Sequence, residues 1–88
     1  MNYDEYKQDR TIIARSSDSK VEHKKGNRAQ SLNICSKCGT TLTAYQVNTM
    51  KYTVVRTFIK YKFDTLHMNV CKDVRVCYNS YIKQKGEG

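Results

Sequence analysis

The sequence has no apolar run that approaches the length of a membrane span, and its first residues do not resemble a secretory signal. A transmembrane helix needs about 20 consecutive apolar residues, and a signal peptide needs a basic region followed by an apolar stretch. The first six residues, MNYDEY, contain no basic region followed by an apolar stretch, and no apolar run elsewhere approaches 20 residues. We therefore expect a cytoplasmic protein without membrane contacts, in a compartment where thiols stay reduced and grouped cysteines usually bind metal.

Motifs of the common enzyme classes are also missing. The chain has no GxSxG turn, no phosphate-binding loop and no paired carboxylates, and its only histidines are His23 and His67. Asp64 and His67 are equally well explained as turn and surface residues. We expect a protein that is not an enzyme and has no small-molecule substrate.

Acidic residues are half as frequent as basic ones. The 88 residues include 16 Lys and Arg but 8 Asp and Glu, which gives a formal net charge of +8. Such a charge favours polyanions as partners, either nucleic acid (RNA or DNA) or an acidic protein surface. A basic surface can also serve solubility alone, because charge by itself carries no specificity.

Apolar residues are unevenly distributed along the chain. Residues 1–31 are rich in Ser, Asn, Gln, Lys and Asp, so we interpret them as a polar, flexible N-terminal segment with at most a marginal helix over residues 3–15. Residues 32–88 contain all four cysteines and are predicted to form the folded domain. A domain of this size buries too little apolar surface to be stable without additional support.

Residue preferences in the folded part predict strands followed by a helix. Residues 40–47 have strand character, residues 48–51 form a turn, and residues 52–63 (YTVVRTFIKYKF) form one long strand because β-branched and aromatic residues dominate them. The apolar period then changes, which predicts a helix over residues 74–84 with Asp73 as its cap. The fold class is a small α+β domain with an antiparallel hairpin or three-stranded sheet and a C-terminal helix.

The four cysteines form two groups. Cys35 and Cys38 are separated by two residues and followed by Gly39, whereas Cys71 and Cys77 lie after the predicted strands. A tight turn lets both thiolates of the first pair point at one ion, and Gly39 tolerates the positive φ of such a turn. The pattern predicts one structural zinc ion held by Cys35, Cys38, Cys71 and Cys77. Disulfides, free buried cysteines and a redox pair are the alternatives.

The CxxCG knuckle, the strands and the final helix resemble treble-clef and zinc-ribbon zinc domains over residues 35–84. In a treble clef, a knuckle is followed by a β-hairpin and by a helix whose first turn carries the second ligand pair. The second pair departs from the family pattern, because five residues rather than two separate Cys71 from Cys77. In a continuous helix this spacing would put the two thiolates about 120° apart. We therefore expect Cys71 in the loop or strand end before the helix and Cys77 in its first turn.

His67 is an alternative fourth ligand. It lies four residues before Cys71, and a site with three cysteines and one histidine is chemically ordinary. Cys77 would then be a core cysteine on the apolar face of the helix. We favour Cys77, because a single histidine is more often a surface residue than a ligand.

The predicted long strand has two different faces. Thr53, Val55, Thr57, Ile59, Tyr61 and Phe63 form a face that suits a core. Cations that alternate with aromatic rings on the other face are typical of sheets that bind single-stranded nucleic acid, although any half-buried strand also alternates. The predicted nucleic-acid-binding residues are Tyr52, Arg56, Phe58, Lys60 and Lys62.

Together these features predict a non-catalytic, zinc-stabilised binding module, most simply one associated with nucleic acid or transcription. The alternative is an adaptor or inhibitor that docks on another protein through apolar anchors such as Phe58 or Tyr45. In size, charge and its single knuckle, the chain resembles phage-type host-takeover proteins, which dock on host machinery such as RNA polymerase.

Overall fold

The fold is that of a computed structural model, which describes residues 2–86. Met1, Glu87 and Gly88, which the predicted segments 1–31 and 32–88 include, lie outside the described residues. The elements in chain order are α1 Tyr3–Ser16, β1 Ser19–His23, β2 Arg28–Ala29, β3 Thr43–Gln46, β4 Lys51–Val54, β5 Phe58–Phe63, β6 Leu66–Cys71 and α2 Val74–Gly86. Neither helix of this range combines the length and the apolar character needed to cross a membrane.

The strands form two antiparallel, three-stranded sheets. In the first sheet β5 lies between β1 and β6, and in the second sheet β4 lies between β2 and β3. Tyr61 of β5, for example, lies opposite Lys20 of β1 and Met68 of β6. The small α+β architecture with a C-terminal helix is therefore confirmed, with two sheets instead of the single hairpin or sheet that the sequence predicts.

The core joins both helices and both sheets around the cysteines. Its buried hydrophobic members are Tyr6, Cys35, Cys38, Leu42, Val54, Phe58, Tyr61, Val70, Cys71 and Cys77. Four of these ten side chains are cysteines, so the apolar core proper is small. Domains with so little apolar burial usually depend on a metal or on disulfides for stability.

Helix α2 agrees with its prediction. The Asp73 carboxylate accepts hydrogen bonds from the Arg75 and Val76 N–H groups at 2.9 and 3.1 Å, which satisfies amides that a helix start leaves free. Cys71 is the last residue of β6, and Cys77 lies in the first turn of α2. Both cysteines therefore occupy the positions that their spacing predicts.

Residues 3–16 and 19–23 form a helix and a strand where the sequence predicts a flexible segment. Asn2 caps α1 in a reciprocal pair of hydrogen bonds with Glu5, and Tyr6 and Arg10, one turn apart, are buried. The other faces of α1 are largely exposed, which explains its polar composition. The second sheet contains strands from both sides of the boundary predicted between residues 31 and 32. β2 precedes this boundary and β3 follows it, and both strands pair with β4.

The long strand predicted over residues 52–63 is wrong. β4 ends at Val54 in the second sheet and β5 begins at Phe58 in the first sheet, while the Val55 N–H donates to the Leu42 carbonyl at 2.9 Å. No Gly, Pro, Asn or Asp marks this break, so the sequence has no turn signal there. The burial of the two faces is also changed. Val54 and Phe58 are fully buried, whereas Val55, from the predicted core face, is exposed.

Two glycines with positive φ allow a matched stability test. Gly26 has φ 94° and nothing within 4 Å of an added Cβ, whereas Gly39 has φ 78° and an added Cβ would lie 2.9 Å from Gln84 Oε1. We expect Gly26→Ala to lower the free energy of unfolding by about 1 kcal/mol through backbone strain alone. Gln84 is exposed and its amide is the end of a flexible side chain that can rotate away, so Gly39→Ala should cost a similar amount and Gln84→Ala in the same chain should change that cost little. Denaturant titration measures all three, and a larger loss for Gly39→Ala that Gln84→Ala restores would show that Gln84 is held in place.

Candidate metal centre

The four cysteines converge on one point of the core. All four residues are buried, and their sulfur atoms lie within 4.8 Å of one another. Cys35 Sγ lies 3.6 Å from Cys77 Sγ, and Cys38 Sγ lies 3.7 Å from Cys71 Sγ. These separations are far longer than a disulfide bond of about 2.05 Å, and all four cysteines are free.

This sulfur arrangement fits a tetrahedral metal site. Zn–S distances of about 2.3 Å in a tetrahedron place the sulfur atoms about 3.8 Å apart, close to the two distances above. Magnesium and calcium prefer oxygen ligands, whereas four soft thiolates are a usual ligand set of structural zinc. The four buried cysteines are thus positioned to hold a metal ion, and their chemistry is consistent with zinc.

Residues 35–39 form the knuckle that the CxxCG motif predicts. The Gly39 N–H donates to the Cys35 carbonyl at 2.9 Å, and the Cys38 N–H donates to Cys35 Sγ at 3.4 Å. The Cys35 N–H in turn donates to the Thr40 carbonyl at 2.9 Å. An amide directed at sulfur stabilises the thiolate form that a metal requires. The first two ligands are therefore positioned by five consecutive residues.

The second cysteine pair is positioned by β6 and α2. In the first sheet Cys71 lies opposite Phe58, which fixes it at the buried end of β6. Cys77 lies in the first turn of α2, where the positive end of the helix dipole favours a thiolate. The five residues between the two cysteines include the Asp73 cap, so the unusual spacing accommodates a strand end and a helix start.

Three further side chains contact the second pair. Tyr6 Oη lies 2.8 Å from Cys77 Sγ, and Arg10 Nη2 donates to the Cys71 carbonyl at 2.6 Å. Arg56 Nη1 donates to Cys71 Sγ at 3.6 Å and to Ser80 Oγ at 3.0 Å. Sequence analysis missed Tyr6 and Arg10 as site residues. The available signal was their spacing of four on one face of α1.

The close approach of the thiols shifts their pKa values in opposite directions. Hydrogen bonds with Cys71 and Cys77 lower the pKa of Cys35. The hydrogen bond with Cys35 is the largest cause of a raised pKa at Cys71, and it also raises the pKa of Cys77 to about 11. Burial, followed by the Cys77 hydrogen bond, raises the pKa of Tyr6, so its hydroxyl stays protonated and can donate to a thiolate.

The structure does not bring His67 to this centre. His67 is exposed on β6, opposite Lys62, and the cluster of metal-ligating side chains within residues 2–86 consists of the four cysteines. The alternative site with three cysteines and His67 is therefore wrong.

The predicted nucleic-acid-binding residues do not lie on one face. Phe58 is fully buried, and its ring stacks on His23 with centroids 4.7 Å apart. Arg56 is directed at Cys71, and Tyr52 belongs to the second sheet, where it contacts Tyr45. The single exposed face predicted for these residues is therefore wrong, because the strand is divided at residues 55–57.

Phe58, Lys60 and Lys62 alternate along one face of β5, but His23 stacks on Phe58, so Lys60 and Lys62 are the members of the set that this face presents to solvent. Both lie on β5 in the first sheet, two residues apart, opposite Val21 and Ser19 of β1. Lys62 is exposed and Lys60 is half-buried. Cationic side chains are therefore available on this face of the first sheet.

No protein-family model, curated protein or solved structure matches this chain. The resemblance to treble-clef and zinc-ribbon domains accordingly depends on the knuckle, on the order of strands and helix, and on the four converging cysteines.

Proposed function

We propose that the chain is a non-catalytic, zinc-stabilised module that binds nucleic acid through a basic groove beside β5. The zinc ion has a structural role in this proposal. All four ligands come from the protein, which fills a tetrahedral site and leaves no position for a substrate.

The distribution of charge carries the nucleic-acid part of the proposal. Residues 23–63 contain eight Lys and Arg and no Asp or Glu, whereas the remaining residues contain eight of each sign. The entire net charge of +8 therefore belongs to the stretch that runs from the end of β1 to the end of β5. Cations without interspersed acids concentrate positive potential, which attracts phosphates.

Acidic side chains from elsewhere neutralise little of this stretch. Lys37 pairs with Asp9 at 3.3 Å, and it is the one cation of residues 23–63 that has a carboxylate partner within the part of the chain that the structure describes. Glu5 and Asp73 serve as helix-capping residues instead. Among the described residues, the remaining cations of this stretch make no direct ion pair, and Glu22, which lies close enough to Lys24 to interact with its charge, pairs directly with Lys72.

Two of these cations line one groove. The groove has a volume of about 280 Å³, and His23, Arg28 and Lys60 are among the residues that line it. Lys62 continues the same face of β5. Arg28, Lys60 and Lys62 are suited to phosphates, and the flat ring of His23, supported by Phe58 beneath it, is suited to stacking on a base.

Charge reversal in the groove tests the proposal. Because three phosphate contacts are removed, Arg28→Glu/Lys60→Glu/Lys62→Glu should weaken binding of a fluorescent single-stranded oligonucleotide by about 100-fold or more. The slope of log Kd against log salt concentration should fall by about 2 to 3. Fluorescence anisotropy over a salt series measures both quantities, with folding monitored by circular dichroism.

A variant of equal charge is the matched control. Arg15→Glu/Lys20→Glu/Lys83→Glu changes three exposed cations outside residues 23–63, and Lys20 lies opposite Tyr61, on the other face of the first sheet. This variant should retain most of the affinity. Equal losses in both variants would show attraction by net charge alone, and absence of binding by the wild-type protein at low salt would overturn the nucleic-acid proposal.

A protein-binding adaptor is the second candidate, favoured by the tip of the β3–β4 hairpin. Val47 and Met50 are 78% and 75% exposed there, and Tyr45, half-exposed, lies at the base of the tip. Apolar side chains presented in this way are typical anchors of protein interfaces. Phe58, the other predicted anchor, is buried and cannot serve. Under the nucleic-acid proposal, Val47→Asn/Met50→Asn, which removes the apolar anchors without adding charge, should leave oligonucleotide affinity unchanged.

A further inference from the structure

Helix α1 covers the second cysteine pair of the candidate metal centre. Tyr6 Oη lies 2.8 Å from Cys77 Sγ, and Arg10 reaches the Cys71 carbonyl at 2.6 Å. The knuckle contacts the same helix, because Lys37 Nζ lies 3.3 Å from Asp9 Oδ2 and 5.1 Å from the centre of the Tyr6 ring. Both halves of the cysteine cluster are therefore in contact with α1.

Arg10 is a buried cation without a carboxylate partner. It is 4% exposed, and its Nε and Nη1 atoms have no hydrogen-bond partner among residues 2–86. The ion pairs within residues 2–86 join Lys37 to Asp9 and Lys72 to Glu22, so neither of those carboxylates compensates Arg10. A buried charge without an opposite charge is strongly unfavourable. Within the described part of the chain, Arg10 instead lies next to the cysteine cluster, which it contacts through the Cys71 carbonyl.

The charges of the two arginines match those of a metal-bound cluster. Four thiolates around a divalent ion carry two excess negative charges. Arg10 contacts the main chain of Cys71, and Arg56 donates to its sulfur at 3.6 Å, so two guanidinium groups face this centre. Four neutral thiols would leave Arg10, the buried member of this pair, uncompensated. The pairing thus supports a metal tetrathiolate as the native form of the cluster.

We propose that Tyr6 and Arg10 are positioning residues around the zinc tetrathiolate, so that the docking of α1 and the binding of zinc stabilise each other. The Tyr6 hydroxyl donates to the Cys77 thiolate and holds its orientation, while Arg10 compensates charge at Cys71. The helix also separates the second cysteine pair from solvent. This inference rests on the zinc site of the proposed function and extends it to a segment that carries no ligand.

Tyr6→Phe tests the hydrogen bond by removing a single oxygen atom. In the full-length protein, zinc transfer to a chromogenic chelator should become about 10-fold faster or more. In the cobalt-substituted protein, the sulfur-to-cobalt charge-transfer band should move to lower energy, because Cys77 loses a hydrogen bond and becomes a better electron donor. Tyr61→Phe is the matched control: Tyr61 is also buried, and its hydroxyl makes no hydrogen bond with a cysteine among the contacts described. It should change neither quantity.

Arg10→Met tests the charge and should lower zinc affinity about 10- to 100-fold. Arg15→Met removes an exposed cation from the same helix and should leave the affinity unchanged. Hydrogen exchange provides the reciprocal readout. In zinc-loaded Arg10→Met, the amides of α1 should exchange faster than in the wild-type protein, while those of β5 stay protected.

The outcomes separate the inference from the metal site on which it rests. Absence of zinc in the wild-type protein overturns the site and the inference together. One zinc ion per chain, with wild-type release rates and an unchanged cobalt band in Tyr6→Phe, overturns the role of α1 alone. Should Arg10→Met fail to fold, Tyr6→Phe still decides, because it removes no charge and no bulk.

Discussion

Protein purified under reducing conditions is expected to contain one zinc ion per chain, and removing that ion with a chelator should unfold the domain. Four of the ten buried hydrophobic side chains are the proposed ligands. Loss of the metal therefore leaves a small apolar core around four cysteines that no longer have a metal ion to bind. Structural zinc contributes on the order of 10 kcal/mol, which is comparable with the whole stability of a small domain. Elemental analysis gives the stoichiometry, and far-UV circular dichroism before and after chelation gives the fold.

Two variants make this test specific to the proposed ligands. Cys77→Ser should bind zinc far more weakly and lose stability, because three cysteines leave the fourth tetrahedral position to water. His67→Ala should keep both, since His67 is exposed on β6 away from the cluster. A wild-type protein that folds without zinc would refute a metal-dependent domain, and an unchanged zinc affinity in Cys77→Ser would refute the ligand assignment.

Phe58→Ala is expected to lower the free energy of unfolding by about 3 to 5 kcal/mol, enough to unfold much of a marginally stable domain. Phe58 is fully buried, lies opposite Cys71 in the first sheet, and stacks on His23. Removing its ring would leave a cavity next to the metal centre. Urea titration of the zinc-loaded protein, followed by circular dichroism, measures the loss.

Tyr45→Ala is the comparison variant for that measurement. Tyr45 is half-exposed, and its ring packs against that of Tyr52 on the neighbouring strand, at a centroid distance of 5.3 Å. The expected cost is below about 1 kcal/mol. If Phe58→Ala were as mild as Tyr45→Ala but abolished nucleic-acid binding, the sequence prediction of an exposed, base-stacking Phe58 would be correct and the buried position would be wrong.

The candidate metal centre was largely predictable because its information is local. The turn of the knuckle is contained in residues 35–39, and an amide directed at sulfur needs no distant partner. The positions of Cys71 and Cys77 followed from the angle per residue of a helix, together with the capping preference of Asp73. The structure adds that all four sulfur atoms meet, within 4.8 Å, and that Tyr6, Arg10 and Arg56 contact the second cysteine pair.

The predicted interface failed because alternation does not identify the buried face. Both faces of residues 52–63 contain apolar side chains, Val54 and Phe58 on one and Val55 and Ile59 on the other, and the division at residues 55–57 lacks a typical turn residue. Val54 and Phe58 became core because the second sheet ends where the first begins, beside Leu42 and the cysteines. That outcome depends on surfaces contributed by other parts of the chain, which a linear pattern does not contain.

The sequence by itself determined the four candidate cysteine ligands, the knuckle, the C-terminal helix and the basic character of the protein, because each depends chiefly on residue types at short spacings. The tertiary structure alone decided that α1 packs on the metal centre, that the predicted long strand belongs to two sheets, and which cations line the groove. The physical reason is that a side chain is buried only when another part of the chain packs over it, and a linear sequence does not show which part does so. A polar helix with two inward side chains becomes structured only where Cys71 and Cys77 supply partners for Arg10 and Tyr6.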